Sequence, residues 1–249
     1  MDCAVVTAAV APMLFEPHVA SGQVSQQLAG HLVSIVEDQG DWLLARGGDD
    51  YEGWMHRGYL ARGALASDDP ARRVSLGCVV TTDAGQLRAL PLRAMLAPGD
   101  RLESGEAIRA DELRDRFPTA ADAIGRTAVE RFVGTSYQWG GVTPWGADCS
   151  GLVQSVFALH GVSIPRDAWQ QARAGRDAGR DILAAKPADL LFFSDRADAH
   201  VTHVAIALGA RRVVHLALGR GGYAVERLED ADSYVAKLRT RFLFARSVL

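Results

Sequence analysis

Residues 147–153 read Ala147-Asp148-Cys149-Ser150-Gly151-Leu152-Val153. An aspartate before an apolar run marks a helix start, because its carboxylate accepts from the unpaired N–H groups of the first turn. Cys149 then falls at the first helical position. Leu152, Val153, Val156 and Phe157 share one face, and Gly161 suits the left-handed residue that ends a helix, so the spacing predicts a helix over 149–160. At its N-terminus the peptide dipoles favour an anion, which predicts a lowered thiol pKa and a nucleophilic Cys149. A buried structural cysteine is the alternative that this segment alone leaves open.

Upstream, Thr119 with Asp122 resembles a capping pair, and Ala120, Ile124, Ala128 and Phe132 recur every four residues, which predicts a second amphipathic helix. Downstream, residues 189–194, 200–208, 211–218 and 242–246 read as strands. Two helices followed by a run of strands make residues 118–249 an α+β domain. Along the strands, His203 shares a face with Val201, Ala205 and Ala207, and His215 shares one with Val213 and Ala217. A turn at Gly209-Ala210 would join the two strands as a hairpin. Partner numbers summing to 418 or 420 put both histidines on one face; a sum of 419 separates them. Two histidines together suit a base and the group that fixes its tautomer. A metal set of His200, His203 and Cys149 is disfavoured, since His200 and His203, three apart, point to opposite faces. No metal and no cofactor are expected, and His18, His31, His56, His160 and His200 are read as ordinary packed or surface residues.

Residues 1–64 read as all-β. Strands at 32–36, 42–46 and 51–56 are separated by the turns Gln39-Gly40-Asp41 and Gly47-Gly48-Asp49-Asp50. The Gly-Asp-Trp turn and the following Gly53-Trp54 resemble a bacterial SH3-type barrel, with Trp42 and Trp54 expected in its core. Ala66-Ser67-Asp68-Asp69-Pro70 reads as a linker. Short apolar segments at 77–82, 87–90 and 96–102 then lead to a second expected SH3-like barrel over 65–117.

The chain has 249 residues, with 48% apolar and 23% charged side chains, which excludes global disorder. A net charge of −3 and a pI near 6.2 give no basic footprint for nucleic acid or an anionic membrane. Cys3, Cys78 and Cys149 lie far apart, which excludes a disulfide scaffold and a zinc ribbon. The apolar start, 3–13, carries only Asp2 as an early charge. A secretory leader needs a basic n-region, so this start is read as a β-strand and the chain is expected in the cytoplasm.

Taken together these pieces resemble the NlpC/P60 cysteine peptidases, a papain-like fold that cleaves cell-wall peptides. The matching segments are Tyr137-Gln138-Trp139-Gly140-Gly141, Asp148-Cys149-Ser150-Gly151-Leu152-Val153, Ile164-Pro165-Arg166-Asp167, Pro187-Ala188-Asp189 with the apolar run after it, 203–209, and Val214-His215. They stand in the family's order and cover about residues 120 to 246. The resemblance implies Cys149 as nucleophile, His203 as general base and acid, and His215 as the orienting residue. It implies an oxyanion role for Tyr137, unless that residue only packs. Asp167 resembles the acid that pairs with the free amine of a substrate L-alanine. It also suits a helix N-cap before Ala168, and both can hold. Asp148, Ser150 and Arg166 are expected at the border of the pocket. With SH3-type barrels in front, the resemblance points to γ-D-glutamyl-L-diamino acid endopeptidases acting on released muropeptides. There Tyr51 would help wall off the cleft and Glu16 would stand in for a barrel glutamate, since Gly22 occupies the expected position. Ala188 replaces the family's usual glycine, with little consequence expected.

The resulting expectation is an α+β protein of three parts: SH3-like barrels at 1–64 and 65–117 and an NlpC/P60 domain at 118–249. It would act as a monomer on L-Ala-γ-D-Glu-diamino acid peptides in peptidoglycan recycling, with no nucleic-acid or membrane partner. Two rivals share its features: a papain-like amidase or acyltransferase with the same Cys–His pair, and a wall-binding protein whose peptidase is vestigial.

Overall fold

A computed structural model of the chain describes residues 2–63 and 72–249. The expected linker at 66–70 lies outside the described residues. The chain divides into two compact units, Met1–Arg116 and Phe117–Leu249.

In the first unit, β1 (Cys3–Val6), β2 (Val10–Leu14), β3 (Gln23–Leu28), β4 (Leu32–Gln39), β5 (Trp42–Arg46), β6 (Glu52–His56) and β7 (Leu60–Arg62) form one sheet in the order β3-β2-β6-β5-β4-β1-β7. The apolar start is therefore two strands rather than one. β3 and β7 stand at the ends of this order, so the pairing among the described residues is that of an open sheet. The core is Ala4, Val6, Ala11, Met13, Val33, Ala45 and Met55. Side chains alternate across a strand, so burying Leu43, Ala45 and Met55 turns Trp42 and Trp54 to the other face. The two tryptophans are only half-buried, and Trp42 packs edge-on against His56. A second sheet of β8 (Arg73–Thr81), β9 (Leu87–Leu90) and β10 (Arg101–Arg109) runs in the order β10-β8-β9, and α1 (Leu113–Arg116) follows.

The second unit begins with α2 (Ala121–Phe132), which buries Ile124, Ala128 and Phe132 as its spacing predicts. Thr119 does not cap this helix; its hydroxyl donates to the His160 carbonyl at 2.6 Å. A two-stranded ribbon, β11 (Val142–Thr143) and β12 (Gly146–Ala147), leads into α3 (Cys149–Leu159). After the single turn α4 (Ala168–Gln171), β13 (Arg176–Gly179), β14 (Leu190–Phe193), β15 (His203–Gly209), β16 (Arg212–Ala217), β17 (Gly222–Arg227) and β18 (Phe242–Ser247) form an antiparallel sheet, with α5 (Ser233–Thr240) inserted before β18. Its order is β13-β18-β14-β15-β16-β17. Leu191, Phe193, Ala205, Ala207 and Val213 form one apolar cluster with Leu238 of α5. The turn between β15 and β16 is at Ala210 and Arg211, both in the left-handed region (φ 48° and 56°), one residue later than the expected Gly209-Ala210. Ala188 also has positive φ, 66°. An alanine there carries a strain of about 1–2 kcal/mol that glycine would not, so its replacement of glycine is not neutral. Among the described residues, no helix is long and apolar enough to cross a membrane.

Candidate active site

The start of α3 is fastened from several sides. The Asp148 carboxylate accepts from Gly151 N at 2.7 Å, Gly140 N at 2.8 Å and Ser150 Oγ at 3.1 Å. Arg166 forks onto the same carboxylate, Nη1 to Oδ1 at 3.0 Å and Nη2 to Oδ2 at 2.7 Å, and also donates to Ser150 Oγ at 2.9 Å. Such a bidentate, charge-assisted contact fixes direction as well as distance. Arg166 is only 1% exposed. Arg166 and Ser150, expected at the border of a pocket, are instead buried and bind Asp148. What this cluster does is hold the Gly140-Gly141 turn against the first turn of the helix. The approach is close: a Cβ on Gly151 would lie 2.0 Å from the Gly141 carbonyl oxygen, and one on Gly141 would lie 2.3 Å from that of Gly146. Glycine is required at both positions by space.

Cys149 is the first residue of α3, as the sequence predicts, and is 6% exposed. The backbone N–H groups of Val204 and Ser150 and the Arg166 charge pull its pKa down, but burial and the Asp148 charge outweigh them and push it up to about 12. The expected thiolate is therefore not the resting form. A helix N-terminus contributes about 0.3–1 kcal/mol at a surface, less than full desolvation of a charged group removes. His203 is displaced in the complementary direction. Burial, His215 and Arg241 hold it well below an ordinary histidine. The resting pair is a neutral thiol and a neutral imidazole.

Ile206 pairs with Val214 and Ala207 with Val213, a register sum of 420, so His203 and His215 occupy one face on a diagonal. His203 Nε2 meets His215 Nδ1 at 2.8 Å. With Nε2 so engaged, Nδ1 is the nitrogen left to His203 for proton transfer. His215 is fully buried. Sequence reasoning missed what stands behind it. Glu226 Oε1 is 3.7 Å from His215 Nε2, and Arg220 holds both Glu226 oxygens, at 2.7 and 3.1 Å. Arg220 continues to Asp232 Oδ1 at 2.8 Å, and Asp232 caps α5 through Tyr234 N and Val235 N. The nearby His215 ring and the hydrogen bonds and charge of Arg220 hold the Glu226 carboxyl at about 2, so it is ionised. The alternation of Gly222–Arg227 concealed it, because Val225 is exposed and Glu226 is buried, the reverse of hydropathy.

Tyr137 lies along Ala147, and its N–H donates to the Gly221 carbonyl at 3.1 Å. Burial, with the Asp148 charge adding to it, raises its hydroxyl pKa well above that of free tyrosine, so the phenol stays protonated and can donate. Asp167 begins α4; its N–H donates to Gln170 Oε1 at 3.1 Å and its Oδ2 accepts from Trp169 Nε1 at 3.3 Å. Tyr51 and Glu16 belong to the first unit. Tyr51 precedes β6, and its carbonyl accepts from Gly47 N. Glu16, in the turn after β2, meets His18 Nε2 at 2.9 Å. All three cysteines are free thiols. Among the described residues, no group of three or more His, Cys, Asp or Glu side chains is placed to hold a metal ion.

Residues 134–239 match the NlpC/P60 family. A γ-D-glutamyl-L-lysine dipeptidyl-peptidase of Bacillus subtilis strain 168 is 29% identical over 214 residues, covering 77% of this chain and 71% of its own. Dipeptidyl-peptidase 6 of Lysinibacillus sphaericus is 26% identical over 264 residues, covering 91% and 92%. The crystal structure of an NlpC/P60 family protein from Bacillus cereus superposes with a TM-score of 0.77 at 20% identity, covering 99% of both chains, a likeness of fold.

Proposed function

From the match of residues 134–239 to the NlpC/P60 family and from relatives named γ-D-glutamyl-L-lysine dipeptidyl-peptidases, we propose that the chain is a cysteine peptidase that hydrolyses the γ-D-glutamyl–diamino acid bond of muropeptides that begin with a free L-alanine. The observation that carries this reading is the 2.8 Å contact of His203 Nε2 with His215 Nδ1, together with a thiol at the head of α3 that meets the backbone N–H of Val204, the residue after His203.

The chemistry follows from the neutral resting pair. As Cys149 Sγ attacks the γ-carbonyl carbon of D-glutamate, its proton passes to His203 Nδ1. Nε2–H of the resulting imidazolium donates to His215 Nδ1, which spreads the charge. The carbonyl oxygen becomes an oxyanion. The Cys149 N–H, at the first helical position and so without an intrahelical acceptor, and the Tyr137 hydroxyl are the donors assigned to it. Collapse of the tetrahedral species breaks the C–N bond, and His203 returns the proton to the departing amine. Water, deprotonated by His203, then cleaves the thioester and frees L-Ala-D-Glu. Asp167 is assigned the ammonium of the substrate alanine. The SH3-like character of the first unit, supported by the Gly-Asp-Trp and Gly-Trp segments, and a role in muropeptide recycling, supported by the relatives' dipeptidyl-peptidase names, complete the reading.

The test is incubation of the full chain with L-Ala-γ-D-Glu-meso-diaminopimelate and its N-acetylated form, with products identified by mass. L-Ala-D-Glu from the free peptide is expected. Cys149→Ala is expected to lower turnover by about 10³-fold or more with an unchanged circular dichroism spectrum. Near-normal turnover in that variant refutes the mechanism, and equal cleavage of both peptides refutes recognition of the amine.

A further inference from the structure

The paired histidines leave one question that a two-histidine relay cannot answer: what keeps His215 in the right tautomer. For His203 Nδ1 to accept a proton, His203 must carry its own hydrogen on Nε2. That hydrogen is donated to His215 Nδ1, so His215 must carry its hydrogen on Nε2. The other tautomer would set two N–H groups against each other across 2.8 Å. His215 Nε2 is buried and makes no hydrogen bond. The group facing it is the Glu226 carboxylate, at 3.7 Å: too long for a hydrogen bond, within ion-pair reach. Register explains the meeting. His215 pairs with Ala224 and Val213 with Glu226, so Glu226 sits diagonally from His215 on the same face of the sheet. From there the carboxylate is clamped by Arg220, itself tied to the cap of α5 and stacked 4.4 Å over the Tyr234 ring. Glu226 is 7% exposed. A buried carboxylate held by its own arginine can be kept ionised while turned toward a second group.

We propose that Glu226 is the positioning residue of this site: it selects the Nε2–H tautomer of His215 and thereby aims His203 Nε2–H and the free Nδ1. This rests on the cysteine-peptidase reading for its kinetic consequence, but not for the tautomer. As His203 gains a proton during attack, the positive charge is shared toward His215, and the ionised carboxylate stabilises it from the far end. An amide at 226 has no charge, and its NH2 can donate to an unprotonated His215 Nε2, so it permits the wrong tautomer.

The experiment uses the full chain with ¹⁵N-labelled histidine, assigned with His215→Gln. Multiple-bond ¹⁵N–¹H spectra are expected to show one neutral His215 tautomer, protonated at Nε2, and a mixture of tautomers in Glu226→Gln. On the muropeptide substrate Glu226→Gln is expected to lose about 10–100-fold in kcat with KM little changed, after correction to the folded fraction measured by urea titration. Glu229→Gln, a surface carboxylate paired with Arg211, serves as the control and is expected to stay within threefold of the wild type. If Glu226→Gln keeps the single tautomer, or if its kcat stays within threefold of wild type despite a mixed tautomer, the proposal is overturned. A wild-type chain that hydrolyses no muropeptide refutes the peptidase reading instead, and that failure appears in turnover, not in the tautomer spectrum.

Discussion

Replacing Arg166 by methionine tests whether the arginine serves stability or substrate. The guanidinium is 1% exposed and the facing Asp148 carboxylate 5%. Removing one partner of a buried ion pair costs about 3–5 kcal/mol, because the other charge stays buried without compensation. Asp148 would keep three donors, Gly140 N, Gly151 N and Ser150 Oγ, which places the loss at the lower end, about 3 kcal/mol. With a urea m-value of about 1–3 kcal/mol/M, the unfolding midpoint should fall by roughly 1–3 M. The double variant Arg166→Met with Asp148→Asn removes the stranded charge and should recover roughly 1–3 kcal/mol, measured as a coupling energy in a full cycle. Urea titration followed by tryptophan fluorescence supplies all four corners. A loss below about 1 kcal/mol, together with a raised KM, would mean that Arg166 meets substrate rather than Asp148, and the packing argument would fail.

Gly151→Ala forces a Cβ to within 2.0 Å of the Gly141 carbonyl oxygen; the backbone must move, at a cost of about 1–3 kcal/mol, and turnover should fall because Cys149 moves with it, whereas an unchanged urea midpoint would show that the close approach is relieved without strain. His31, held at about 4 by burial and the Arg93 charge, binds its proton more weakly folded than unfolded, so its contribution is full above about pH 6.5 and is lost as pH falls toward 4. The loss is about 2–3 kcal/mol between pH 7.5 and 4.5. His31→Gln should flatten the urea midpoint over that range, and equal slopes in both proteins would refute it.

Local chemistry made much of the second unit legible. An aspartate followed by an apolar run specifies an N-cap, and the first-position cysteine follows from it, because capping is settled within four residues. The strands of the β15–β16 hairpin were equally accessible, but not their register: the turn at Ala210-Arg211 pairs Gly209 with Arg212, a sum of 421 that would separate the histidines, and the irregularity between Ala207 and Gly209 shifts the ladder to the 420 that unites His203 with His215. The first unit shows the limit of the same reasoning. The turn signals located β5 and β6, but which face is buried depends on the partner strands, and that choice left Trp42 and Trp54 half-exposed.

The sequence by itself determined the elements whose stabilising contacts lie a few residues apart: the helix at Cys149, its glycine end, and the two strands that carry His203 and His215, though not their register. Only the tertiary structure decided which charges are buried and what faces them. Arg166 reaches Asp148 across 18 positions, and Glu226 comes behind His215 only through β17, a strand that hydropathy turns the wrong way. The thiol's proton was decided there too. Helix position argues for a thiolate, but the desolvation that holds Cys149 at about 12 comes from the rest of the fold closing over it, a quantity no local window of sequence contains.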